Sequence, residues 1–129
     1  MFKFPCEVVI QFVLPAMRKE MVNCFIENKN LKQREIAKIL GITDAAVSQY
    51  VKGKRGAKFQ FDVNAKKKIK EMCIALYDHY QDHKKNHTGN EFMTSACKIC
   101  KELRSSKALC HLHESIGIDI GNCEACMGV

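Results

Sequence analysis

The chain has 129 residues, with 21 Lys/Arg against 14 Asp/Glu and a formal net charge of +7. With 47% apolar and 27% charged residues and only 7 Gly and 2 Pro, it is not disordered, collagen-like or Pro-rich, and it is too short for a large two-domain enzyme. The longest apolar run, residues 8–16, is broken by Gln11 and falls well short of the roughly 20 residues that span a bilayer; Pro5 and Glu7 break up any signal-peptide pattern. A cytoplasmic location without a membrane partner is expected.

Charge and cysteine are both unevenly placed. Residues 1–61 hold 11 Lys/Arg and 5 Asp/Glu, whereas residues 89–129 hold 4 and 5. A basic first half beside a near-neutral end points to a polyanion-binding unit joined to a part with another task. Of the 8 Cys, Cys6, Cys24 and Cys73 are scattered, and Cys97, Cys100, Cys110, Cys123 and Cys126 crowd the last 33 residues. In a reducing compartment such clustering reads as metal or cluster ligands rather than a disulfide framework.

In chain order, residues 5–13 fit a short helix opened by Pro5, with an alternation too poor for a strand. Pro15 starts a clearer helix to about residue 28, with Met17, Met21, Cys24, Phe25 and Asn28 spaced as one buried stripe. Residues 27–30 read as a turn. Two short helices follow at 32–40 and 44–52, separated by Gly41, Ile42 and Thr43 and closed by Gly53. Residues 54–58 form a basic loop. Asp62 caps a long helix to about residue 83, carrying Ile69, Met72, Cys73, Leu76, Tyr77 and Tyr80 on one face. The polar stretch 84–90 marks a boundary between a basic unit, 1–83, and a Cys-rich module, 84–129. Beyond it 91–105 is helical, 110–115 a short turn of helix, and 117–129 a Gly-rich loop. The expected class is all-α.

The most informative stretch is 33–50. Two helices that cross closely need a small residue at the crossing, which Ala37 supplies, and a turn residue tolerant of positive φ, which Gly41 supplies. Ile36, Leu40, Ile42, Val47 and Tyr50 or Val51 then fill the angle between them, and Thr43 caps the second helix. With Val47 and Val51 inward, Asp44, Ala45, Ser48, Gln49 and Lys52 face outward, short, polar or basic as a helix entering a major groove requires. The alternative is an ordinary helical hairpin within a core, which does not call for this combination of residues.

Residues 15–56 resemble the XRE-type helix-turn-helix of the Cro and phage-repressor superfamily, a lambda-repressor-like fold. The segments 14–20, 33–43, 45–50 and 53–56 are similar to a group of archaeal transcriptional regulators that also end in a cysteine cluster. The resemblance implies phosphate contacts at Gln33 and Thr43, base reading at Asp44, Ala45 and Gln49, and backbone contacts at Lys54 and Arg55. It also implies a homodimer on a double-stranded DNA operator with two half-sites about one helical turn apart. Asp44 departs from the Gln often found there; a carboxylate accepts from a cytosine amino group or strengthens the helix N-terminus instead. The face from Ile69 to Tyr80 suits either the dimer contact or packing on the helix-turn-helix core.

Cys97-x2-Cys100 and Cys123-x2-Cys126, with Cys110 between them, predict a four-sulfur site in which each C-x2-C turn brings two thiolates to one centre. Structural zinc is the commoner outcome of two such pairs. Five clustered Cys, a module appended to a DNA-binding unit and the family resemblance tilt the reading to an iron–sulfur cluster of the 4Fe-4S kind, with zinc as the alternative. A regulator sensing redox or iron–sulfur status follows; a small iron–sulfur enzyme or electron carrier is the reading from another class. Cys24 and Cys73 read as small buried hydrophobes. His79, His83 and His87 read as a solvated helix end, Lys66, Lys67 and Lys68 as a solvated face, and His111 and His113 as surface residues. No Ser-His-Asp set, Walker loop or carboxylate pair has supporting context, so no enzyme is expected.

Overall fold

The computed structural model describes residues 4–82, 90–118 and 121. All regular structure among them is helical: α1 (Pro5–Val8), a π-helical turn (Val9–Val13), α2 (Leu14–Lys29), α3 (Gln33–Leu40), α4 (Asp44–Val51), α5 (Val63–Asp82), α6 (Asn90–Ser105) and α7 (Ala108–Ser115). No helix of the described residues is long and apolar enough to cross a membrane.

The expected break at Pro15 is absent. Val8, Val13 and Leu14 all keep right-handed helical dihedrals, so α1, the π-turn and α2 run as one rod. Pro15 has no N–H, and inside a regular helix its ring would collide with the carbonyl four residues back. The chain answers by widening one turn: the Leu14 N–H reaches back to the Val9 carbonyl, five residues away, and the extra residue absorbs the ring. The rod continues through Lys29, beyond the turn expected at 27–30. It closes at Asn30, whose φ of 55° is left-handed and whose N–H bonds the Phe25 carbonyl. Asn28 lies outside the buried stripe and is exposed.

Apolar spacing then decides what packs on this rod. α2 buries Ala16, Met17, Met21, Val22, Cys24 and Phe25, against α4 on one side and α5 on the other. α3 pairs with α4 and buries Ile36, Ala37 and Ile39. The Asp62 carboxylate caps α5 by accepting from the Ala65 N–H at 2.7 Å. Ile69, Met72, Cys73 and Leu76 are all buried, and Tyr77 and Tyr80 pack half-buried against the same core. This face is therefore consumed within the chain, under α2 and α6, and is not available as a dimer contact: so short a helix-turn-helix unit completes its core by recruiting α5. Lys29 caps the arrangement with its ammonium 4.8 Å from the Tyr77 ring centre.

The last two helices join the same core. Ile99 and Leu103 of α6 and Leu109 and Leu112 of α7 are buried in one cluster with Met21, Phe25 and Ile69. Lys68 of α5 pairs with Glu102 of α6, and α7 lies against both α6 and α1. The expected boundary at 84–90 lies outside the described residues except for Asn90, which begins α6. Of the expected 117–129 loop, only Gly117, Ile118 and Gly121 are described.

Leu109 is 0% exposed, so Leu109→Ala should cost about 2–5 kcal/mol. In urea the whole unfolding transition should move as one step, with the amides of α3 and α4 losing hydrogen-exchange protection alongside those of α7. A shift confined to α7 would contradict a shared core.

Candidate nucleic-acid interface

The turn between α3 and α4 follows from two residues. Gly41 closes α3 with φ of 68°, a conformation that costs a side chain roughly 1 kcal/mol or more. The Ile42 N–H then bonds the Ala37 carbonyl at 3.0 Å, satisfying a terminal acceptor of α3. Thr43 starts α4 from an extended conformation, and its Oγ1 accepts from the Ala46 N–H at 3.1 Å. Its hydroxyl hydrogen stays available, as do the Asp44 and Ala45 N–H groups, which have no partner four residues back. At the start of α3, Glu35 and Ile36 bond the Lys32 carbonyl, and Lys32, Gln33 and Arg34 are exposed. Each of the two helices thus presents a positive N-terminal end with exposed polar residues.

On α4 the inward residues are Ala46, Val47 and Tyr50. Val51, expected inward, is 41% exposed. α4 packs mainly on α3 and α2, and the arc centred between Ala46, Val47 and Tyr50 leaves Val51 at its edge. The outward face carries Asp44, Ala45 and Lys52, all exposed, and Ser48 and Gln49, half-buried at its margins. Val51 adds an apolar spot to this face.

The basic loop is held by a contact that sequence reasoning missed. Gly56 has φ of 75°, and a Cβ there would sit 2.4 Å from the Pro15 carbonyl oxygen and 2.9 Å from Lys19 Cβ. Only glycine lets the loop lie this close to the first turn of α2. On the far side Phe59 and Phe61 stack edge to face at 4.9 Å, with Phe61 buried, so both ends of the loop are pinned. Between the loop, the π-turn and α2 lies a groove of about 510 Å³ lined by Gln11, Arg18, Tyr50, Lys54, Arg55 and Lys58, among others, and, among the described residues, by no carboxylate. Arg18 and Lys58 join the expected Lys54 and Arg55. The signal for Lys58 was its place in the basic loop; Arg18 carried none, because its nearness depends on how the loop folds back.

The cysteines are arranged differently from the expectation. Cys97 and Cys100 lie within α6, in the helix expected at 91–105 and not in the turn expected of their C-x2-C spacing, because Ile99 and Leu103 form a buried helical stripe around them. Their backbone N–H groups close helical bonds and cannot converge on sulfur. The two thiols share one face of α6, a turn apart, Cys97 exposed and Cys100 half-buried; Cys110, half-buried, is on α7. Cys123 and Cys126 lie outside the described residues. Among the described residues no three His, Cys, Asp or Glu gather as a metal-binding group, so Cys97, Cys100 and Cys110 do not form a centre by themselves. Helix-borne thiols one turn apart still suit a thiophilic metal as two of its ligands. His113, expected at the surface, is 6% exposed; its Nδ1 donates to the Leu109 carbonyl at 3.0 Å. His111 is exposed.

The family model for the helix-turn-helix matches residues 25–60, from the last turns of α2 to the Phe59–Phe61 pin. The match supports the XRE-type superfamily, whose members are DNA-binding transcriptional regulators. It stops short of the clustered cysteines. No curated protein and no solved structure matches the chain.

Gly56→Ala should lower stability by about 2 kcal/mol through strain and the clash with α2, and Thr43→Ala by about 1 kcal/mol through loss of the cap, both read from urea midpoints. Gly56→Ala should weaken binding to duplex DNA further than its loss of stability explains, because the loop moves away from Arg18.

Proposed function

We propose that the chain is a dimeric, sequence-specific transcriptional regulator whose C-terminal cysteines hold an iron–sulfur cluster that reports redox or iron–sulfur status. The observation that carries the DNA-binding part is the juxtaposition of the outward face of α4 with a carboxylate-free groove holding four cationic side chains. In this reading α4 enters the major groove. Gln49 offers both an amide donor and an acceptor to adenine, Asp44 accepts from a cytosine amino group, and Ala45 and Ser48 permit close approach. Gln33, Thr43 and the first N–H groups of α3 and α4 meet phosphates on one side. Lys52, Lys54 and Arg55, joined by Arg18 and Lys58, meet them on the other. Two copies would place two such helices on half-sites about one turn apart.

For the C-terminal part, support comes from the cysteine spacing and from the likeness to archaeal regulators with a terminal cysteine cluster. Cys97 and Cys100 would supply one pair and Cys123 and Cys126 the other, with Cys110 in reserve as a replacement ligand. A cluster bound there would supply one-electron chemistry or be lost on oxidation. The protein's own part is to carry the change: α6 and α7 bear three of the thiols, α7 lies on α1, and α1 continues through the π-turn into the DNA-facing groove.

Duplexes selected from a random library should bind with an affinity that falls steeply with salt, and Lys54→Ala and Arg55→Ala should each reduce the slope of log K against log salt by about 1. Gln49→Ala should cost about 1–3 kcal/mol on the preferred duplex and relax discrimination at one position. Protein that ignores every duplex at low salt would defeat the reading. Anaerobically purified protein should be brown, with iron, sulfide and broad absorption near about 400 nm; a colourless protein with one zinc would make the module a structural staple.

A further inference from the structure

Cys24 and Cys73 are left unused by the DNA-binding reading, and they meet where α2 crosses α5. Cys73 is 1% exposed and Cys24 9%. The Cys73 thiol lies 3.9 Å from the Met21 carbonyl and neighbours the side chain of Cys24, one turn further along α2. From the opposite side the Asn28 amide donates to Cys24 Sγ at 3.5 Å and to the Cys24 carbonyl at 3.0 Å. A groove of about 260 Å³ leads to Cys24 from solvent, with Glu20 and Glu27 balanced by Lys66 and Lys70. Such a passage favours a small neutral molecule over an ion.

We propose that Cys24 and Cys73 form an oxidisable dithiol which hydrogen peroxide converts into a disulfide across the α2–α5 crossing. The two thiols have unequal roles. Cys24 faces the groove, and the Asn28 amide donates to its sulfur. Burial, with the neighbouring Cys24 adding to it, pushes the Cys73 thiol up and keeps it protonated. The Cys24 thiolate attacks one peroxide oxygen, the O–O bond breaks, and sulfenic acid and hydroxide result; the hydroxide takes up the proton that Cys24 released. Cys73 sulfur then displaces the sulfenic oxygen, which leaves as water with the Cys73 proton. Two thiols and one peroxide become one disulfide and two waters.

The consequence lies in what the link encloses. Residues 25–72 hold α3, α4, the basic loop and the whole of the matched helix-turn-helix span 25–60. A bond between its two ends confines the unfolded chain and leaves the DNA-facing residues untouched. The device depends neither on DNA binding nor on the clustered cysteines.

The test uses the reduced full-length chain treated with hydrogen peroxide, alkylated in denaturant, digested without reductant and mapped by mass spectrometry. A Cys24–Cys73 linked peptide is expected. A Tm roughly 5–10 °C above that of the reduced protein, reversed by dithiothreitol, should accompany it. In Cys73→Ala the link and the Tm rise should vanish, while a sulfenic-acid probe labels Cys24. Recovery of Cys24 and Cys73 as alkylated thiols, while other cysteines are oxidised, overturns the proposal. The wild-type mapping decides the matter even if the variant does not fold.

Discussion

Pro15 is the constraint from which the geometry of the DNA-facing side develops. Lacking an N–H, it forces a widened turn at Val9–Val13, which spares the rod from Pro5 to Lys29 a break. The same residue turns its carbonyl toward the Gly56 backbone, so close that no side chain fits between them. One ring therefore sets both the straight scaffold under α4 and the landing point of the basic loop. Arg18, one turn along, consequently lines the same groove as Lys54, Arg55 and Lys58.

The rod also connects distant parts of the chain. Its first turn touches α7, its middle lines the basic groove, and its last turns pack on α5. α6 and α7 bury Ile99, Leu103, Leu109 and Leu112 in the same cluster as Met21 and Phe25. A signal proposed to arise at the clustered thiols thus needs no separate linker to reach the DNA-facing side. Close-packed interiors transmit displacement because they have little empty volume to absorb it. The Cys24–Cys73 pair sits in that same interior, at the crossing that frames the helix-turn-helix.

Much of the fold was legible from local signals. The left-handed Gly41, the Thr43 cap, the Asp62 cap and the helical stripe of α5 each follow from one or two residues acting within a turn or so. Local signals failed where a long-range partner made the decision. Val51 has the spacing of a core residue, but α4 packs mainly on α2 and α3 and leaves it in solvent. His113 looked like a surface histidine, yet α7 turns it into the core, where the Leu109 carbonyl satisfies its ring. The C-x2-C of Cys97 and Cys100 suggested a metal-binding turn inside a stretch, 91–105, that also read as helix; burial of Ile99 and Leu103 accompanies the helix. The apolar face of α5, open in sequence to two explanations, is covered by α2 and α6.

By itself the sequence determined the helices, their caps, the tight turn and the polar outward face of α4, because each depends on neighbours within about four residues, the reach of a helical hydrogen bond. Only the tertiary structure decided which cations share a groove with α4, which face of α5 is spent internally, and that two scattered cysteines meet. Those outcomes depend on contacts between residues dozens of positions apart, such as Gly56 on Pro15 and Cys73 on Met21, and no local pattern of side chains encodes such a distance.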